Sequence, residues 1–186
     1  MKRFAHFGLN KTTMNEIASD LSFSKALLYY YFPDKLSVYA AVLERIFSEI
    51  AVEVDHAIEK AHTPEEALQA LIDAEKDFLK KYFPLLDFSK FADIEKYQDL
   101  KTIVEKSNAS EIKHIQRIIE IGVKTGKYQV ADAAYTAQLL FEAIQGIRVF
   151  HLGQPGKTFN IDRSYLEMIS NRQKEIVEIF LKGLIC

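Results

Sequence analysis

Cysteine occurs once, at the last position, Cys186. A single thiol excludes an internal disulfide framework and a cysteine-cluster zinc site, and a reducing compartment is its simplest home. Glycine and proline are also scarce, seven and four in 186 residues. No Ser/Gly linker, low-complexity tract or solenoid-length repeat interrupts the chain. No apolar run approaches the ~18 residues of a membrane span. The opening MKRFAHFGLNK lacks the apolar core of a signal peptide, so a cytoplasmic protein with no membrane partner is expected. The five histidines, His6, His56, His62, His114 and His151, form no His-x-x-x-His pair. No Gly-rich phosphate loop or nucleophile elbow is present either. Neither an enzyme nor a metal or cofactor site is expected.

What remains is helix-forming. The chain is 48% hydrophobic and 27% charged, and no Val/Thr alternation argues for strands. Nine helices are predicted. Residues 1–7 end at Gly8. Thr13 and Glu16 form a capping box for a short amphipathic helix carrying Met14, Ile17, Ala18 and Leu21. After a two-residue turn, Ser24 caps a third helix that Pro33 stops. Asp34 caps a fourth, which keeps three-and-four apolar spacing to about Lys60, roughly 39 Å. Thr63-Pro64-Glu65-Glu66 reads as cap, N1 proline and acidic first turn of a fifth helix, to about Phe83. A short sixth is placed near 84–92. A seventh runs from about Tyr97 to Thr125, with Ser107-Asn108 as the point where a break would fall. An eighth is capped by Asp132, and a ninth begins near Asp162 or Arg163 after the loop GQPGKTFN.

The formal net charge is −2, yet residues 1–35 carry Lys2, Arg3, Lys11, Lys25 and Lys35 against Glu16, Asp20 and Asp34. The N-terminal end alone is net positive, a hint that it meets an anion. In SKALLYYYFPDK, three consecutive tyrosines cannot all face one core, because each helical step turns ~100°. Placing Leu28 and Phe32 inward leaves Ala26, Leu27 and Tyr30 outward, edged by Lys25, Tyr29 and Tyr31. Two short helices with a tight turn form the helix-turn-helix pattern, whose second helix enters the major groove. Phenols and lysine at its margins suit phosphates; Leu27 suits a thymine methyl, and Ala26 permits close approach. Lys35 beside the fourth helix's N-terminus makes a second phosphate site. The alternative is a plain helical subdomain with its rings packed against another helix.

GLNKTTMNEIASDLSFSKALLYYYFPDK resembles the DNA-binding signature of the TetR family of bacterial transcriptional regulators. Gly8, Thr12, Thr13, Ile17, Ala18, Ser24, Lys25, Leu28, Tyr29, Phe32 and Lys35 match it in order and spacing. Ser22 and Ala26 stand where the family favours Gly, and Tyr31 where it often has His. Helix one is shorter than the family's. The resemblance implies an all-α protein: residues 1–34 as a DNA-binding domain, with the long fourth helix leading into a ligand-binding and dimerisation domain, 35–186. The expected DNA contacts are Thr13, Ser24, Lys25, Ala26, Leu27, Tyr29, Tyr30, Tyr31 and Lys35. A repressor released from a near-palindromic double-stranded operator by a small molecule is expected. A small-molecule-binding or structural helical dimer of the same fold that does not bind DNA is the alternative.

The resemblance also implies a pocket among helices four to eight and a homodimer through helices eight and nine. Glu75 falls on an otherwise apolar stripe with Leu68, Leu71, Ile72, Phe78, Leu79 and Tyr82, costly unless paired or wet. It either meets a partner such as Arg148 or a rim, or reads a polar group of a ligand. The predicted pocket residues are Glu75, Phe78, Tyr82, Phe88, Phe91, His114, Phe141 and Gln145. Gln138, Glu142, Gln145 and Arg148 make a narrow polar strip on a helix otherwise apolar around most of its girth, which calls for burial on more than one side. Helix nine shows Tyr165, Ile169, Ile176, Phe180 and Leu184 at helical spacing.

Overall fold

The computed structural model describes residues 1–86, 97–152 and 163–185. Eight α-helices lie among them: α1 Lys2–Lys11, α2 Met14–Asp20, α3 Lys25–Tyr31, α4 Lys35–Lys60, α5 Pro64–Tyr82, α6 Gln98–Lys124, α7 Ala133–Leu152 and α8 Arg163–Lys182. The sixth predicted helix falls mostly outside the described residues, as do Phe88, Phe91, the GQPGKTFN loop and Cys186. The seventh, eighth and ninth predicted helices are α6, α7 and α8.

The caps set the boundaries. Thr13 and Glu16 exchange both bonds of a capping box. Ser24 Oγ accepts from Leu27 N–H, 3.1 Å, and Asp34 from Ser37 N–H, 2.7 Å. Thr63 does the same for Glu66 N–H, 3.1 Å, and Asp132 for Ala134 and Tyr135 N–H. Each satisfies N–H groups that the first helical turn cannot. Gly8 sits at φ 72°, ψ 171°, so it kinks α1 rather than ending it in a left-handed cap. No break occurs at Ser107-Asn108: α6 runs through both without interruption, because packing outweighs their weak helix propensity.

Two clusters make the core. One joins Phe4, Met14, Ile17 and Leu28 of the N-terminal unit to Tyr39, Leu43 and Ile46 of α4 and on to Leu79, Tyr82, Leu85 and Leu86. The other packs Val54 and Ile58 of α4 with Leu68, Leu71 and Ile72 of α5, Ile115, Ile118 and Ile119 of α6, Leu140, Phe141 and Ile144 of α7, and Val177 and Leu181 of α8. The stripe α8 buries is Leu166, Ile169, Gln173, Val177 and Leu181, one step round from the predicted one. Ile176 instead borders an α7–α8 groove, and Ile179 is 64% exposed. No helix among the described residues is long and apolar enough to cross a membrane.

Candidate DNA-reading face and effector cavity

The α2–α3 turn is held by two backbone bonds, Phe23 N–H to Ala18 O at 2.9 Å and Ser22 N–H to Ser19 O at 3.1 Å. This is the Schellman pattern, whose left-handed position usually takes Gly. Ser22 occupies it at φ 55°, at a cost of about 1 kcal/mol relative to Gly. Arg3 fastens α1 to α2, reaching Asp20 through Nε and Nη2 at 2.6 and 2.9 Å and Glu16 at 3.0 Å. Thr13's hydrogen bonds hold the Glu16 carboxyl below its ordinary range, and Arg3 does the same for Asp20. The acids beside the turn are thus already matched.

Helix α3 buries one side chain, Leu28; Phe32 just beyond it is half-buried. Tyr30 is 80% exposed and Tyr31 66%, their rings meeting edge to face at 5.1 Å. Tyr29 and Leu27 are also exposed, as are Thr13, Ser24, Lys25 and Ala26. Lys25 Nζ stands 5.7 Å from the Tyr29 ring centroid. Lys35 differs from the rest: its ammonium donates to the Asn10 carbonyl, 3.3 Å, tying the start of α4 to the end of α1. Leu27, Tyr29, Tyr30 and Tyr31 thus form a contiguous exposed aromatic and aliphatic patch beside Lys25, a candidate interaction surface.

The second site lies between α4, α5, α6 and α7. A cavity of ≈ 120 Å³ is walled by Phe47, Ile50, Phe78, Leu79, Leu86 and Val104, with Ser107, Asn108, Glu75, Glu111, Gln145 and Arg148 supplying the polar atoms. A smaller space of ≈ 40 Å³ shares Phe47, Ile50, Glu75, Ser107 and Glu111 and adds Ala51, Val54, Leu71, Ser110 and His114. Of the sequence-predicted pocket residues, Glu75, Phe78, Gln145 and His114 come together here. Tyr82 does not line it; its hydroxyl donates to Glu49, 2.8 Å, and its ring lies 5.0 Å from that of Phe78. Phe141 is buried in the second core cluster instead.

The polar floor of the cavity is a chain of four side chains from three helices. Arg148 donates to Glu75, and Gln145 donates to Glu111, 3.0 Å. Burial raises the Glu111 carboxyl well above its usual range, and the neighbouring Glu75 charge raises it further, against the pull of Arg148. The other oxygen, Glu111 Oε1, is enclosed and meets no donor, and Arg148 Nε meets no acceptor. Burial also lowers His114, opposing Asp55 at 3.3 Å, so this imidazole is held toward its neutral form. Sequence reasoning missed Glu111. Its signal was register: Val104, Asn108, Glu111, Ile115 and Ile118 form one helical stripe, apolar at both ends and polar in the middle.

An exposed two-helix unit joined by a long helix to a helical bundle with an internal cavity is the architecture of a helix-turn-helix transcriptional regulator. Residues 1–42 match the family model described as bacterial regulatory proteins, tetR family. Across the whole chain, the crystal structure of a transcriptional regulator from Cytophaga hutchinsonii superposes with a TM-score of 0.84 at 28% identity, covering 100% of this chain and 94% of that one. YhgD of Bacillus subtilis (strain 168), described as an uncharacterized HTH-type transcriptional regulator, is 24% identical over 76% of this chain and 74% of its own length. FasR of Mycolicibacterium smegmatis, an HTH-type transcriptional activator, is 32% identical over 41% of this chain and 35% of its own. The chain carries the tetR-family DNA-binding unit at residues 1–42. It is a DNA-binding transcriptional regulator and not an enzyme; regulators of this family bind operator DNA and small-molecule effectors as dimers.

Proposed function

We propose that the protein is a homodimeric repressor that grips a near-palindromic operator through α3 and the start of α4 and lets go when a small molecule fills the α4–α7 cavity. The observation that carries this reading is that α4 serves both sites. Its first residue, Lys35, abuts the reading unit, while Phe47, Ile50, Ala51 and Val54 line the cavity. A rigid rod of 26 residues transmits a tilt: about 5° over ~39 Å displaces its far end by roughly 3 Å, enough to spoil phosphate contacts. Residues 1–34 then act as the DNA-binding domain and 35–186 as the effector and dimer domain. Thr13, Ser24, Lys25 and the three tyrosines supply the DNA contacts, with Ala26, Leu27 and Lys35.

The homodimer is assigned to α7 and α8. Tyr135, Leu139, Val149, Phe150 and Ile179 are large, apolar and exposed there, around a groove that Ala143, Gly146 and Ile176 help to line. Two such pairs make a four-helix seam, setting recognition helices one DNA turn, ~34 Å, or a multiple apart.

The test is selection of fragments from the source genome by the full-length protein, followed by footprinting with and without cell extract. An inverted repeat protected alone and released by extract supports the reading. Protection that extract strengthens would make the protein an activator-type or co-repressed regulator, and no protected fragment would return it to an effector-binding dimer without an operator.

A further inference from the structure

Among the described residues the cavity gathers two acids, Glu75 and Glu111, and one base of fixed charge, Arg148. Around Glu111 stand Glu75 from α5, Gln145 and Arg148 from α7, and His114, Ser107 and Ser110 from its own helix. The wall from α4 is apolar, and Asp55 on α4 is engaged with His114 and Arg117. Two carboxylates therefore share one guanidinium. Arg148 is committed to Glu75, so Glu111 is the surplus acid. An uncompensated buried carboxylate is too costly to stay charged; in the empty site it takes a proton. Its enclosed Oε1 meets no donor, as a protonated carboxyl beside the Glu75 charge requires.

We propose that the effector is a small organic cation, a primary ammonium or amidinium on a compact aliphatic or aromatic body, which takes the place of the Glu111 proton. The inference rests on the effector-cavity reading above. Glu111 releases its proton to solvent, its carboxylate accepts from the ammonium N–H, and the site stays neutral. The aliphatic and aromatic wall from Phe47, Ile50, Phe78 and Val104 encloses the body. An anion is disfavoured by the same count. Arg148 Nε lacks an acceptor, but a carboxylate brought to it would put three acids around one guanidinium. At ≈ 120 Å³ the cavity is below the ~300–1,000 Å³ usual for ligand pockets, so a compact ligand fits and a long one must push the helices apart.

The test is calorimetry on the full-length protein with a matched trio: benzylamine, benzyl alcohol and benzoate. Benzylammonium should bind at least about tenfold tighter than the alcohol, the ratio that one charge-assisted hydrogen bond supplies, with benzoate weakest. Titration at pH 6 in two buffers of different ionisation heat should show release of up to one proton per cation bound. That release fades as pH rises through the elevated Glu111 pKa. Glu111→Gln, which keeps the shape and the Gln145 contact, should bring ammonium and alcohol to parity and abolish the proton release. Val104→Trp, which fills the cavity, should abolish all three. Binding of benzoate or the alcohol as tightly as the amine, lost in Val104→Trp, would overturn the cation assignment and leave the cavity as the effector site. Amine binding that survives Val104→Trp, or binding by none of the three, would overturn it too; whether the protein has an effector at all is then decided by extract-driven release from DNA.

Discussion

Replacing Arg148 by methionine keeps the length and apolar filling of the side chain but removes the one guanidinium that the described residues place at the cavity floor. Glu75 is 8% exposed, and the Glu111 carboxyl lies against it. Stripping the partner from a buried ion pair costs about 3–5 kcal/mol. With an m-value of ~2 kcal/mol/M in urea, that loss lowers the midpoint by roughly 2 M. The pH dependence carries the sharper signature. A carboxyl raised in the folded state binds protons there more readily than in the unfolded chain, so its contribution is whole below the ordinary value of 4.5 and is lost as pH climbs through the raised one. Without Arg148 nothing opposes the rise at Glu111, and the buried Glu75 side chain loses its ion-pair partner. The deficit of Arg148→Met should therefore be near its maximum at pH 8 and shrink by at least about 1.4 kcal/mol, one pKa unit's worth, at pH 5. Urea melts at fixed protein concentration, at both pH values, measure it; fixed concentration matters because a dimer's apparent stability follows mass action. The double variant with Glu75→Gln should recover part of the loss at pH 8. A deficit under about 1 kcal/mol, or one equal at both pH values, would refute a buried, charge-imbalanced floor.

Gly122→Ala should destabilise by about 1–3 kcal/mol, since a Cβ there falls 2.1 Å from Cδ2 of Tyr128, whose ring is buried and whose hydroxyl donates to Glu65 at 2.6 Å; thermal melts read it. A Cβ added at Gly146 meets nothing within 4 Å, so in Gly146→Leu helical content should hold while the dimer weakens in sedimentation, and a wild-type monomer at micromolar concentration would remove the α7–α8 seam. Lys35→Ala should weaken binding to all DNA and flatten the salt slope by about one unit, whereas Tyr30→Ala should relax discrimination at one or two base pairs; uniform weakening by both would refute the α3 face. Tyr39→Phe removes a buried bond to the Leu85 carbonyl, 2.8 Å, and should cost about 1–3 kcal/mol and lower the ratio of operator affinities with and without effector.

Local chemistry made the N-terminal half legible. A cap needs only one side chain and the turn it precedes, so Thr13, Ser24, Asp34, Thr63 and Asp132 can be read from the sequence one by one. The outward set on α3 follows from the same arithmetic, with one helix and one anchor, Leu28. The long-range features resisted. Glu75 announced itself as an acid on an apolar stripe, and Arg148 could be named as a partner because it shared the one polar strip of α7. Glu111 could not, since SNASEIKH looks like a solvated stretch until α5 and α7 close over it. Phe141 and Tyr82 lie outside the cavity lining for the converse reason. Aromatic content alone does not distinguish a wall from a core, and these two are held by Ile144 and its neighbours and by Glu49.

The two sites are joined by more than the length of α4. Tyr39, one turn into that helix, presents its ring to Phe4 of α1 at 5.3 Å, edge to face, and its hydroxyl to the Leu85 carbonyl. The next residue, Leu86, lines the effector cavity. One side chain thus touches the DNA-binding unit with its apolar face and the cavity's margin with its polar tip. Rings and enclosed hydrogen bonds resist small displacements. A ligand that shifts Leu86 therefore either drags Tyr39, and Phe4 with it, or breaks a buried bond worth about 1 kcal/mol or more. That is the scale of ordinary allosteric coupling, about 1–3 kcal/mol or 5- to 150-fold in affinity. On the proposed reading the operator weakens the effector by the same factor through linkage, which makes the charge balance at Glu111 and the grip of α3 on DNA two readings of one equilibrium.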